Sequence, residues 1–182
     1  MRIAEVNLIV HPDYDALYNG DTSATLHPLQ KGLRAAWSQR TSEIALRENS
    51  LLIYVSALQA KDLRKPRSYL KGIKKDDVSR ISDWRKMLGD RLIVFPKEPS
   101  VTRTVLADTF NQRGYSLDQE NAILVAYGEY EELCVKGESE LFQDSLGIPD
   151  SRTFIDRRQS LAYCDYDAEA QMISPRRQKE YV

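Results

Sequence analysis

Cysteine and histidine are almost missing from this chain, with two of each among 182 residues. Two cysteines, Cys134 and Cys164, cannot make the disulfide framework of a small secreted domain, so a reducing, cytoplasmic interior is expected. His11 and His27 have no partner four residues on, so the spacing of a helix-borne zinc site is absent. His11 with Asp13 and Asp15 is the one local group that invites a metal reading; no metal and no cofactor is expected. Long apolar runs are lacking as well. None approaches the roughly 20 residues that span a bilayer, and the opening MRIAEVNLIVHPDYD turns acidic too soon for a signal peptide. No membrane partner is expected. Neither sign of charge prevails: 26 Lys and Arg against 27 Asp and Glu leave a net charge of −1, which argues against a nucleic-acid partner for the chain as a whole. What remains, 42% hydrophobic and 29% charged residues, is a folded globular composition with volume for one core.

Five short apolar runs are present: VNLIV (6–10), LLIYVSAL (51–58), RLIVF (91–95), AILVAY (122–127) and, more weakly, TFID (153–156). The first four are nearly continuous rather than alternating, which suits strands covered on both faces. Segments with helical spacing lie between them. Leu29, Leu33, Ala36 and Trp37 recur at intervals of three and four in the first, and Val78, Ile81, Trp84, Met87 and Leu88 in the second, with Gly89 as its stop. Ser100 caps a third that runs through Val101, Val105, Leu106 and Phe110 to Gly114, and a fourth runs through Leu133, Val135, Leu141, Phe142 and Leu146 to Gly147. Strand alternating with helix predicts an α/β domain over 1–162 with a doubly wound, mainly parallel sheet. Two stretches break the rhythm. KDLRKPRSYLKGIKK (61–75) holds seven cations against the single acid Asp62; it reads as a solvated insertion or lid over the sheet ends, with a phosphate or nucleic-acid contact as the other reading. The polar tail 163–182 reads as a disordered extension or as a segment that docks on a partner subunit.

Ligands of open α/β sheets sit beyond the carboxyl ends of the strands. There the first strand delivers His11, Asp13 and Asp15, the third Lys97 between two prolines, and the fourth the segment GEYEELC, ending in Cys134 near a helix start. A free thiol has a pKa of about 8.5, and a helix N-terminus or a nearby ammonium favours its thiolate. A carboxylate in reach can take the thiol proton and return it to a leaving group. Each part also has a structural reading: a cysteine near an apolar strand is commonly a small buried hydrophobe, and HPDYD can simply shape a turn after Pro12.

The segment FPKEPSVTRTVLADTFNQRGYSLDQENAILVAYGEYEELCV (95–135) resembles the core of the isochorismatase-like cysteine hydrolases. Lys97, then Thr104, Leu106, Phe110 and Gly114, then Gly128 and Cys134-Val135, follow that family's order and its final G-x-x-x-x-x-C-V spacing. The resemblance implies a three-layer, Rossmann-like domain and a Cys-Lys-Asp triad. Cys134 would be the nucleophile, Asp13 or Asp15 the base, and Lys97 the electrostatic partner of both. It implies a homo-oligomer acting on a small-molecule substrate, an amide or acid derivative. His11, Asp15, Gly128 and Glu129 complete the candidate site. The chain departs from the pattern where His11 stands in place of the strand-end aspartate, where Glu129, Glu131 and Glu132 crowd the turn before Cys134, and in lacking the histidine-rich metal site of nicotinamidase-type members. These departures motivate an alternative: a catalytically inactive member of the fold that acts as a binding or assembly protein.

Overall fold

A computed structural model describes residues 1–12, 28–56, 75–96, 102–129, 134–161, 166–167 and 172–173. The elements in chain order are β1 (Arg2–Ile3), β2 (Glu5–Val10), α1 (Pro28–Ala45), β3 (Ser50–Val55), α2 (Lys75–Leu88), β4 (Leu92–Phe95), α3 (Thr102–Gln112), β5 (Ser116–Leu117), β6 (Ile123–Glu129), α4 (Lys136–Leu146), β7 (Thr153–Leu161), β8 (Tyr166–Asp167) and β9 (Met172–Ile173). Short 3-10 turns, Gly89–Arg91 and Asp150–Arg152, lead into β4 and β7.

The main sheet has five parallel strands in the order β4-β3-β2-β6-β7. The chain winds from β2 outward through β3 to β4, then crosses back to β6 on the other side of β2. Parallel crossovers are right-handed, so this reversal puts the two halves' helices on opposite faces. Two separate buried clusters result. One packs Val6, Leu8, Val10, Ile53, Ile93 and Leu124 against Leu106 and Phe110 of α3 and Phe142 of α4. The other packs Ile9, Leu52, Tyr54 and Tyr127 against Leu33 and Trp37 of α1 and Trp84 and Leu88 of α2. The expected three-layer, mainly parallel α/β architecture is therefore the observed one. Every residue of β2 and β3 is buried, which is why their sequences show no alternation.

Polar groups lock α1 onto the amino half of the sheet. Glu5 is 8% exposed; its Oε1 accepts from Asn7 Nδ2 at 3.0 Å and Arg40 Nη2 at 2.9 Å, and its Oε2 from Arg47 Nη1 at 2.5 Å and Ser50 Oγ at 3.2 Å. α1 ends without a basic residue in its last turn, and the carbonyls that a helix end leaves unbonded need donors. Arg91 supplies them from the start of β4. Its Nη1 donates to the carbonyls of Ile44 (3.1 Å), Arg47 (2.5 Å) and Ser50 (3.2 Å), and its Nη2 to Ala45 (2.9 Å).

Several helix-face expectations need correction. Met87 and Val105 were expected to face the core and are 43% and 38% exposed. Successive helical residues turn by about 100°. Trp84 and Leu88 sit within 40° of one another and fill the α2 interface, which leaves Met87 on its flank; Leu106 and Phe110 do the same to Val105. The weak run 153–156 extends to Leu161. Within the tail, β8 and β9 form an antiparallel pair, and β1 and β5 form a small parallel one; neither was anticipated.

The Tyr127 hydroxyl is buried with no hydrogen-bond partner among the described residues, and so is Gln159 Oε1. Burial pushes the tyrosine's pKa far above its usual range, so the hydroxyl stays neutral. Removing a desolvated, unpaired hydroxyl should relieve a cost of about 1 kcal/mol. Tyr127→Phe is therefore expected to leave the melting temperature unchanged or raise it by about 2–4 °C, as read by calorimetry. A clear fall would mean that the hydroxyl has a bonded partner.

Candidate functional site

The strand order reverses between β2 and β6, and the carboxyl ends of these two strands are where an open α/β sheet offers a crevice. Val10 pairs with both Val55 and Gly128, so His11 and Glu129 follow one residue beyond a matched pair. Both chains leave regular extended geometry at this level. His11 has φ 49, the one positive φ outside glycine among the described residues, and it is 2% exposed. Its N–H donates to the Val55 carbonyl at 2.8 Å, which extends the ladder by one bond before the chain turns away. Gly128 has φ 138 and lies so close to β2 that a Cβ built on it would stand 2.1 Å from the Val10 carbonyl oxygen. Residues held in sparsely populated backbone regions cost about 1–3 kcal/mol each and gather at functional sites. Two of them side by side at the switch point mark the place.

Cys134 reaches the same edge from the other side of the turn. Cys134 and Val135 open α4 with a wide, π-type turn. Val135 is fully buried, whereas Cys134 is a free thiol of intermediate exposure that packs against the apolar layer under α3 and α4. Ser56, wholly buried, continues β3 at this edge with its N–H on the Phe95 carbonyl at 2.8 Å.

On the other flank of β6, β7 breaks register. Ala126 pairs with Ile155 but Gly128 pairs with Ser160, so the segment 156–159 bulges out. The bulge is held from inside and outside. Asp156 Oδ1 accepts the Arg158 N–H at 3.0 Å, Asp156 Oδ2 accepts Gln159 Nε2 at 3.3 Å, and the Asp156 carbonyl accepts Ser160 Oγ at 2.8 Å. Trp37 Nε1 on α1 donates to the Gln159 carbonyl at 2.8 Å.

Of the residues singled out in the sequence, the structure brings His11, Gly128, Glu129 and Cys134 to one edge of the sheet. Asp13, Asp15 and Lys97 lie outside the described residues, as do His27, Cys164 and the basic stretch 61–74. Sequence reasoning missed Ser160 and the bulge beside it; its one signal is the charged DRR that interrupts the apolar residues of 153–161. Among the described residues, no group of three or more His, Cys, Asp or Glu side chains is placed to hold a metal ion, and no helix is long and apolar enough to cross a membrane. Compared with known protein families, curated proteins and solved structures, the chain finds no match.

Proposed function

We propose that this protein hydrolyses a small amide or acid derivative at the switch point between β2 and β6, with Cys134 as the nucleophile. The observation that carries the reading is the position of Cys134. It is a partly exposed free thiol in the turn that opens α4, on the edge where β2 and β6 end in strained backbone. The positive end of a helix favours a thiolate in its first turn. In the reaction the thiolate adds to the carbonyl carbon and the carbonyl electrons move to oxygen. Collapse of that adduct expels the amine or alcohol, which takes up the proton the thiol gave, and leaves a thioester. Water then cleaves the thioester, releasing the acid and restoring the thiol. The resemblance assigns the proton transfers to Asp13 or Asp15 and the electrostatic support to Lys97. A small-molecule substrate, a homo-oligomeric state and a cytoplasmic setting belong to the same reading.

The test is timed alkylation with iodoacetamide between pH 6 and 9, followed by peptide mass spectrometry. Cys134 is expected to react at least about tenfold faster than Cys164, with a rate that titrates below the ordinary thiol value of about 8.5. Turnover of a panel of small amides and esters should vanish in Cys134→Ser. Equal, slow labelling of both cysteines would refute the reading.

One observation favours a second reading, a binding or assembly protein on the same fold. Cys134 packs against the apolar layer, as a small structural hydrophobe would. On that reading Cys134→Ala folds normally, no panel substrate is turned over by either protein, and Cys134 labels no faster than a free thiol.

A further inference from the structure

Arg158 lies in the β7 bulge, one strand away from the end of β6. The bulge occupies the register between Ile155, opposite Ala126, and Ser160, opposite Gly128, so it stands at the height of Tyr127, just below the carboxyl edge. Neighbouring strands lie about 5 Å apart, which leaves the crevice between β2 and β6 within reach of a long side chain and its field. Arg158 and Arg157 are both exposed. The Arg158 guanidinium makes no ion pair among the described residues, while its backbone N–H is fixed by Asp156. A bulge of this kind re-aims side chains beside a site. The opposing charges are also near in the chain: Glu129 ends β6, and Glu131 and Glu132 follow it in the sequence. Without a cation on the other flank, those carboxylates would turn an anion away.

We propose that Arg158 is a specificity residue that makes the switch-point site favour anionic substrates, small carboxylates above all, over neutral ones. The proposal rests on the reading of Cys134 as the nucleophile. The chemistry that follows is unchanged; Arg158 acts on the approach and binding of the charged partner.

The experiment compares two alkylating probes on Cys134 that differ in charge, iodoacetate and neutral iodoacetamide, with N-acetylcysteine as the free-thiol reference. In the native protein at low salt, the iodoacetate-to-iodoacetamide rate ratio should exceed the reference ratio. A unit charge about 8–10 Å away in a watery dielectric is worth roughly a two- to threefold change in rate, so Arg158→Gln is expected to lower the ratio by about that factor. Arg158→Lys should retain it. Arg85→Gln, an equal change of charge on the exposed far part of α2, should leave it alone, and high salt should erase the difference between native protein and Arg158→Gln. If both probes modify Cys134 at a ratio that Arg158→Gln does not alter, the selectivity is overturned and the nucleophile stands. If neither probe modifies Cys134, the nucleophile falls and the selectivity with it.

Discussion

Replacing Gly128 with alanine is expected to destroy the folded protein. The φ of 138 at this position is one that residues with a side chain rarely adopt, and the new Cβ would meet only main chain: the Val10 oxygen at 2.1 Å, its nitrogen at 2.7 Å and its carbonyl carbon at 2.9 Å. No flexible side chain is there to move aside. β6 cannot retreat either, since β2 pairs with it on one side and β7 on the other. Backbone strain and a main-chain clash at the middle of the sheet together should cost more than about 4 kcal/mol, a large share of the roughly 5–15 kcal/mol that holds a domain together. Soluble yield should collapse, and any protein recovered should melt more than about 10 °C lower. Gly147 is the control. It too has a positive φ, 67, but nothing lies within 4 Å of its Cβ position, so Gly147→Ala should cost only about 1 kcal/mol. Melting curves that coincide for native protein and Gly128→Ala would mean that β2 and β6 do not approach as closely as described.

The contrast between those glycines also explains what could and could not be read ahead of the structure. Gly114 and Gly147 end periodic helical patterns, and a helix end is a local event, so both stops were legible. Gly128 looked like a spacing landmark before Cys134; its actual constraint comes from Val10, which is remote in the chain. The same division runs through the sheet. Runs 6–10, 51–58, 91–95 and 122–127 are continuous and apolar because β2, β3, β4 and β6 are covered on both faces, and that burial is written into each run separately. The strand β7 was half missed, since DRR belongs to a bulge whose only purpose is visible beside β6. Arg91 read as the first residue of a strand, yet its guanidinium caps α1 across a long stretch of chain. Helix ends, apolar faces and strand identity are short-range properties. Register, bulges and long-range caps are set by the partner, and a single sequence does not name the partner.

The candidate site follows the same rule. Strand ends could be listed because each strand was visible, so His11, Gly128, Glu129 and Cys134 were all singled out. That His11 takes a positive φ could not be foreseen, because only the crowding of three strand ends and the buried Pro12 after it impose it. Strain of this kind persists only where the surroundings over-determine it, and here the Val55 carbonyl holds the His11 N–H while the sheet holds Val10.

Removing the Glu5 carboxylate is the second change with a large expected effect. Glu5→Ala strips the acceptor from four donors at once: Arg40, Asn7, Arg47 and Ser50. Arg40 is the one that matters most. Its side chain is 19% exposed against 41% for Arg47, so water can replace the lost partner of Arg47 and cannot readily do so for Arg40. Breaking a buried pair by deleting one member typically costs about 3–5 kcal/mol, because the other charge stays buried without compensation, whereas an exposed pair is worth about 1 kcal/mol or less. Glu5→Ala is thus expected to fall in the upper range. Arg40→Ala should cost more than Arg47→Ala, although the contact from Arg47 is the shorter, 2.5 Å against 2.9 Å. Urea unfolding curves with equal slopes would check both statements. The reverse order for the two arginines would show that contact length outweighs desolvation here. Since Glu5 lies at the amino end of β2 and His11 beyond its carboxyl end, protein that remains folded should keep the labelling rate of Cys134. A loss of stability without a loss of thiol reactivity would then separate what fastens α1 to the sheet from what shapes its carboxyl edge.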